Sequence, residues 1–198
     1  MGMRYFGTSV QRQEDHKFLT GNGRYVDDIE LAGMLHAAFL RADIAHARIN
    51  NIDTTSAKVL PGVHAVFTLD DLGAPYPDKP MVTAYGSPLL KQAICQYLLA
   101  KDEVCFVGQT VALVIAESRH TAEDAVSQII VDYEPLPAVA DCRTALDPES
   151  PIAHLGTENN LVGNFYNKYG NIEEAFKQAD HVLKVDFLEH RGGCHAME

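Results

Sequence analysis

The stretch "TVALVIAESRHTAEDAVSQIIVDYEPLPAV", positions 110–139, constrains the fold more than any other part of the sequence. Val111–Ala116 is a continuous apolar run, which predicts a strand covered on both faces. Ser118 is the expected cap of the helix that follows; Thr121, with Asp124 three residues on, is the alternative. Ala122, Ala125, Val126 and Ile129 fall at i, i+3, i+4 and i+7, one apolar stripe of a helix. Ile130–Tyr133 begins a return strand, and Pro135 with Pro137 ends it. Strand–helix–strand units often hold phosphates, but they need glycines at the junction so that backbone N–H groups can approach the anion. The junction here is "AESRHTAED". It has no glycine and puts Glu117, Glu123 and Asp124 where an anion would sit, so the unit reads as structural.

An earlier segment echoes this pattern. Leu35–Arg41 and Ala47–Ile52 read as strands. Asp53 or Thr54 caps a short helix through Leu60, and Pro61-Gly62 stops it. Val63–Thr68 is apolar and β-branched, a further strand. Thr68 to Asp71 caps another helical turn. Two such units, with helices on one side of a mixed sheet, predict a compact α+β domain over residues 15–140.

The remaining segments are less regular. Residues 1–14 form an arm, and turn-rich "LTGNGRYVDDIELAGM" carries one short strand around Arg24–Asp27. Positions 73–92 hold four prolines and two glycines, which forbids a long regular element. A short strand is expected at Cys95–Ala100. Residues 141–170 read as a linker. Asn171 and Glu174 resemble a capping box for a two-turn helix through Gln178. His181–His190 alternates, with Leu183, Val185 and Phe187 on one face, as a half-buried strand does. One helix and one strand make no sheet. The expectation is that the last 40 residues either pair with the first domain or begin a domain whose remainder lies on another chain.

Composition narrows the partners. Sixteen basic against 27 acidic residues give a net charge of −11, which argues against nucleic-acid or anionic-membrane surfaces. The 46% of apolar residues suffices for an ordinary core. No run is long and apolar enough for a membrane span, and "MGMRYFGTSV" lacks the apolar stretch of a secretory signal. The four cysteines, at 95, 105, 142 and 194, match no zinc or disulfide spacing and read as reduced, mostly buried thiols of a cytoplasmic protein.

No catalytic set emerges from residue types alone. His190, Cys194 and His195 supply three metal ligands at most where a structural zinc site takes four. His36, His46 and His64 flank or lie in strands, where hydrogen-bonded structure is the ordinary role. Ser87 in "YGSPLL" lacks the strand and paired glycines of a nucleophile elbow. Asp27-Asp28 and Asp70-Asp71 are adjacent, and adjacent side chains on a strand diverge.

The order of phrases is more telling. "GTSVQRQED" at 7–15, "FLTGNGRYVDDI" at 18–29 and "MLHAAFLR" at 34–41 come first. "AHARI" and "ID" at 45–53, "PGVHAVFT" and "DL" at 61–72, and "VGQTVALVIAE" at 107–117 follow. "AEDA" at 122–125, "VDYEPLPAV" at 131–139 and the terminal "ME" complete the series. In this order the chain resembles the N-terminal part of the large, molybdopterin-binding subunit of molybdenum hydroxylases. That family includes xanthine dehydrogenase, aldehyde oxidase and aerobic carbon monoxide dehydrogenase.

The resemblance implies an α/β-hammerhead domain at 15–140, followed by a linker at 141–170. It implies that 171–198 are the incomplete start of a molybdopterin-binding domain. It implies an oxidoreductase that hydroxylates an aldehyde or N-heterocycle with oxygen from water. Its cofactor would be molybdopterin cytosine dinucleotide, with 2Fe-2S clusters and FAD on partner subunits. The catalytic residues would lie on the remaining molybdopterin-binding portion, leaving this chain a structural and substrate-route role. Gly192 and Gly193 stand near where some members bring a glutamine to the molybdenum, which makes them the cofactor-binding candidates. Tyr85, in the proline-rich loop, is the substrate-route candidate. Gln109-Thr110 stand where members often have Glu-Pro. The alternative reading is a non-catalytic binding or scaffold module derived from the same family.

Overall fold

A computed structural model describes residues 7–81, 89–92, 94, 96–189 and 192–193. Residues 35–170 form one compact unit, and the described residues of 1–34 and 171–198 form another.

In the larger unit the apolar run becomes the central strand of a sheet. It pairs on one side with β1 (His36–Arg41); β2 (Ala47–Asp53) belongs elsewhere, and β3 (Val63–Phe67) pairs on the other side. A second sheet has β2 at its centre, flanked by β4 (Glu103–Val104) and β6 (Ile130–Pro135). The central strand of the first sheet is β5 (Thr110–Ala116). Every pairing among these strands is antiparallel. The α+β class therefore holds, but the expected mixed sheet is replaced by two antiparallel ones. The physical reason lies in the connections. A parallel crossover needs about a dozen residues or more, and the helix after β2 spans only Thr55–Lys58. This helix, α2, carries the chain from the second sheet to the first. Helix α3 (Arg119–Ser127) carries it back, from β5 to β6. The two strand–helix–strand units are thus bridges between sheets.

Both helices pack on the first sheet. Ala112, Val114 and Ala116 of β5 are fully buried and meet Ala122 and Ala125 of α3, with Ala57, Val66 and Ile129 completing the cluster. Small side chains let helix and sheet approach closely. Leu113 and Ile115, on the opposite face of β5, are only partly covered, so the expected two-sided burial is incomplete. A second cluster of Ala42, Ala47, Ala100, Val104 and Val111 lies under the other sheet.

The caps act largely as the sequence suggests. Ser118 Oγ accepts the Thr121 N–H at 3.1 Å, so Ser118 and not Thr121 is the cap of α3. Asp53 Oδ1 accepts the Thr55 N–H at 2.9 Å, in front of α2, which ends two residues before Leu60. Asp71 Oδ2 accepts both the N–H and the hydroxyl of Thr68 at 2.8 Å and braces a 3-10 turn at Asp70–Leu72. Gly62 is required at its position: its φ is +83°, and a Cβ there would stand 3.3 Å from Thr121 Cγ2.

Several expected elements differ. No strand forms at 96–100; Leu99 and Ala100 are buried in irregular backbone, and Ala100 donates its N–H to Thr110 O at 2.8 Å. The strand appears instead at Glu103–Val104, because register with Arg48 and Ala47 favours it there. Residues 141–170 are irregular, yet they are pinned. Asn160 donates to Ala145 O and Pro151 O at 2.9 and 2.7 Å and accepts from Ala153 N–H at 2.8 Å. Gln92 donates to Asn159 O and Leu161 O and accepts from Glu158 N–H.

In the smaller unit α1 (Asp15–Leu19) precedes a 3-10 turn at Val26–Asp28, which replaces the expected strand at Arg24–Asp27. Asp28 Oδ2 accepts the Tyr25 N–H at 2.9 Å, and that local bond competes with strand pairing. Phe18 and Tyr25 stack with centroids 5.9 Å apart. Helix α4 (Ile172–Gln178) has half of its capping box: Asn171 Oδ1 accepts Glu174 N–H, but the Glu174 carboxylate accepts from Gln178 instead. Residues 181–189 form no strand, and Leu183, Val185 and Phe187 are all exposed. An alternating pattern has no strand to make without a partner edge among the described residues.

Candidate functional site

The second sheet brings three chemistry-bearing side chains to one end. Ala47 pairs with Val104 and Arg48 with Glu103. One step further along the same antiparallel register sets His46 opposite Cys105. Glu103 and Cys105, two residues apart, share a face.

Glu103 is the hub of the group. Its two carboxylate oxygens accept the Leu155 N–H at 2.9 and 3.1 Å, which ties the irregular 153–157 segment to the sheet. Its Oε2 lies 3.2 Å from His46 Nε2. His46 is 4% exposed, and its Nδ1 lies 2.9 Å from Pro137 O, an acceptor, so Nδ1 carries a proton. That contact fixes the ring with Nε2 turned toward Glu103. Burial, and then the Glu103 charge and the thiol's hydrogen bond to it, push the Cys105 thiol up to about 12. The Cys105 N–H donates to Gln109 Oε1 at 2.7 Å, closing a turn in which Gly108 has φ +92°. Gln109, noted as a departure from the family pattern, thus has a local structural role.

A ring nitrogen of His46, the Cys105 sulfur and a Glu103 carboxylate oxygen lie within 4.8 Å of one another. Glu103 and Cys105 also line a cavity of about 280 Å³ with Lys101, Gln109, His154 and Thr157. A mixed N, O and S donor set beside a cavity is able to hold a cation or to serve as a hydrogen-bonded brace.

The residues singled out from sequence fare differently. His46 is hydrogen-bonded structure, as expected of a strand-flanking histidine, and is also part of this trio. His36 is half-buried on β1, and His64 lies 3.7 Å from Glu117 at the surface. Gly192 and Gly193 are exposed, and a Cβ added to Gly192 would meet nothing within 4 Å. Tyr85, Ser87, His190, Cys194 and His195 lie outside the described residues. Of the thiols described, Cys105 is half-buried and Cys142 is exposed, so the expectation of mostly buried cysteines fails at Cys142. Glu103 and Cys105 were not singled out from sequence. Their i, i+2 spacing in "DEVCF" is the available signal, but the two-residue strand that uses it is too short to announce itself.

Comparison with known proteins places the chain. Residues 20–137 match the family described as "Aldehyde oxidase and xanthine dehydrogenase, a/b hammerhead domain". The large subunit of nicotine 6-hydroxylase from Paenarthrobacter nicotinovorans is 40% identical over 97% of this chain and 23% of its own length. The large chain of carbon monoxide dehydrogenase from Afipia carboxidovorans is 43% identical over 94% of this chain and 21% of its own. The crystal structure of quinoline 2-oxidoreductase from Pseudomonas putida 86 superposes with a TM-score of 0.66 at 43% identity. It covers 79% of this chain, which in turn spans 20% of that structure's chain. The chain therefore spans about a fifth of the length of these relatives. With the hammerhead match covering more than half of its residues, it belongs to the aldehyde oxidase and xanthine dehydrogenase family of molybdenum hydroxylases.

Proposed function

We propose that this chain is the hammerhead-bearing portion of a molybdenum-dependent oxidoreductase that hydroxylates an aldehyde or N-heterocycle with oxygen from water. The observation that carries the reading is the hammerhead match over residues 20–137 in a chain that spans about a fifth of its relatives. The reactive centre then belongs to the remaining molybdopterin-binding portion. Molybdopterin cytosine dinucleotide would supply the two-electron chemistry, and 2Fe-2S and FAD subunits would carry electrons away. Among the described residues no helix is long and apolar enough to cross a membrane, and we place the complex in the cytoplasm.

Exposed apolar side chains favour such an assembly. Leu183, Phe187 and Leu188 are 86, 89 and 91% exposed. Apolar surface of this kind is stabilised by cover, at about 25 cal/mol per Å². The remaining molybdopterin-binding portion is the proposed cover, and residues 171–198 are its beginning in the fold. Gly192 and Gly193 are proposed to face the cofactor. The open space around Gly192 leaves its backbone approachable, although this segment makes no cradle by itself. Tyr85 is proposed to line the substrate route.

The test is purification of the complex under native conditions through a tag on this chain. The expected result is a large assembly with stoichiometric molybdenum and iron, and dye reduction with aldehydes or N-heterocycles. A metal-free monomer overturns the reading in favour of a scaffold module.

A further inference from the structure

We propose that His46, Glu103 and Cys105 form a binding site for a thiophilic divalent cation, Zn²⁺ in particular, separate from the redox cofactors of the proposed function. Three observations support it. First, the donor set is mixed imidazole, carboxylate and thiol, gathered at one end of a strand pair: Glu103 in β4, His46 just before β2 and Cys105 just after β4. Second, the geometry is close to what tetrahedral zinc takes. Bonds of about 2.0–2.2 Å to nitrogen and oxygen set those atoms about 3.3 Å apart, and His46 Nε2 and Glu103 Oε2 are 3.2 Å apart. The sulfur lies within 4.8 Å and needs to swing inward by on the order of 1 Å.

Third, the surroundings resemble a metal shell. Histidines that ligate metal commonly donate their other ring N–H to a backbone carbonyl, which orients the free nitrogen. His46 Nδ1 stands in that relation to Pro137 O. The Leu155 N–H holds the Glu103 carboxylate in the same manner. The adjoining cavity of about 280 Å³ has room for a water as fourth ligand. Binding displaces two protons to solvent, the thiol proton and the one held between His46 Nε2 and Glu103 Oε2, as the zinc–sulfur, zinc–nitrogen and zinc–oxygen bonds form, with no change of oxidation state. The cation would clamp β2, β4 and the 153–157 segment together, a structural site.

The experiment is zinc analysis of the purified full-length polypeptide carrying this chain, after equilibration with Zn²⁺ and removal of excess. Cys105→Ser, Glu103→Gln and Cys142→Ser variants are treated alike. The expected result is one more equivalent of zinc in the native protein than in Cys105→Ser. Cys142→Ser should retain it, and Glu103→Gln should weaken binding about tenfold or more. With Co²⁺ in place of zinc, the native-minus-Cys105→Ser difference spectrum should show thiolate-to-cobalt charge transfer. Equal zinc content in native and Cys105→Ser protein, or a flat cobalt difference spectrum, overturns the proposal. Because Cys105→Ser changes one atom, its folding is checked directly by circular dichroism. If it is unfolded, weaker zinc binding by folded Glu103→Gln than by the native protein in chelator competition decides in favour, and equal affinity there decides against.

Discussion

His46 and Glu103 are 57 positions apart in the chain and meet at 3.2 Å at the end of the second sheet. The contact joins the start of β2 to β4, and through the Leu155 N–H it reaches the irregular segment beyond β6. Truncating Glu103 would strand a buried imidazole and a backbone N–H together. Such groups cost about 1–3 kcal/mol each when left unsatisfied. Glu103→Ala is expected to lower unfolding stability by about 2–4 kcal/mol. Glu103→Gln keeps an acceptor oxygen and should lose less than half of that. Urea denaturation midpoints at constant slope measure both. Equal losses for the two variants would show that the charge, and not the acceptor, dominates.

Cys105 and Cys142 should separate by reactivity. Thiolates are the species that alkylate, and burial beside Glu103 holds the Cys105 thiol up to about 12. Cys142 is exposed. At pH 8, iodoacetamide should label Cys142 well before Cys105 in peptide mapping by mass spectrometry. The sign of the linked stability follows. Between the usual thiol value of 9.0 and about 12 the unfolded chain has lost the proton that the fold retains. The folded state is therefore favoured below that window and loses ground as pH rises through it. Glu103→Gln removes the second cause and should speed Cys105 labelling.

How much of this was legible in the sequence depends on the range of the interactions. Ser118, Asp53 and Asn171 announce their helices because a cap acts within three residues. The β5 run announces its burial because it needs only composition. Topology is less local. Whether β2 and β3 share a sheet depends on the length of α2, and four helical residues do not reveal which sheet they reach. The expected strand fails over 181–189 for a related reason: alternation states which face would be buried, not whether a partner edge exists. The trio at the second sheet's end was invisible because one register pairing, Ala47 with Val104, assembles it. The family resemblance came through because it depends on the order of many phrases rather than on any one contact.

Asp71 offers a test on the acid side. The Thr68 N–H holds its carboxyl below the usual 3.8, against a smaller opposing effect of burial. A depressed carboxylate contributes stability that is present above the unfolded value and is lost as pH falls through the folded one. Its side chain is 38% exposed, so solvent screening limits the contribution to below about 1 kcal/mol. Asp71→Asn should be slightly destabilised at pH 7 and equal to the native protein below pH 3. Paired thermal melts at the two pH values measure the difference.

The contact between α3 and β5 sets a volume limit. Ala122 and Ala125 have no exposed surface and face Ala112, Val114 and Ala116, which have none either. A larger side chain there has no solvent to move into. Ala125→Leu adds three heavy atoms to a filled layer and should cost about 1–3 kcal/mol by overpacking. Val114→Ala should cost about 2 kcal/mol through lost burial and the cavity left behind. If helix and strand are as closely set as they stand, the double variant should recover part of both losses, because the volume removed from β5 lies beside the volume added on α3. Double-mutant analysis of urea unfolding reads that coupling directly. Strict additivity would mean that the two side chains do not share a space, and that the alanine layer is not what fixes the separation of helix and sheet.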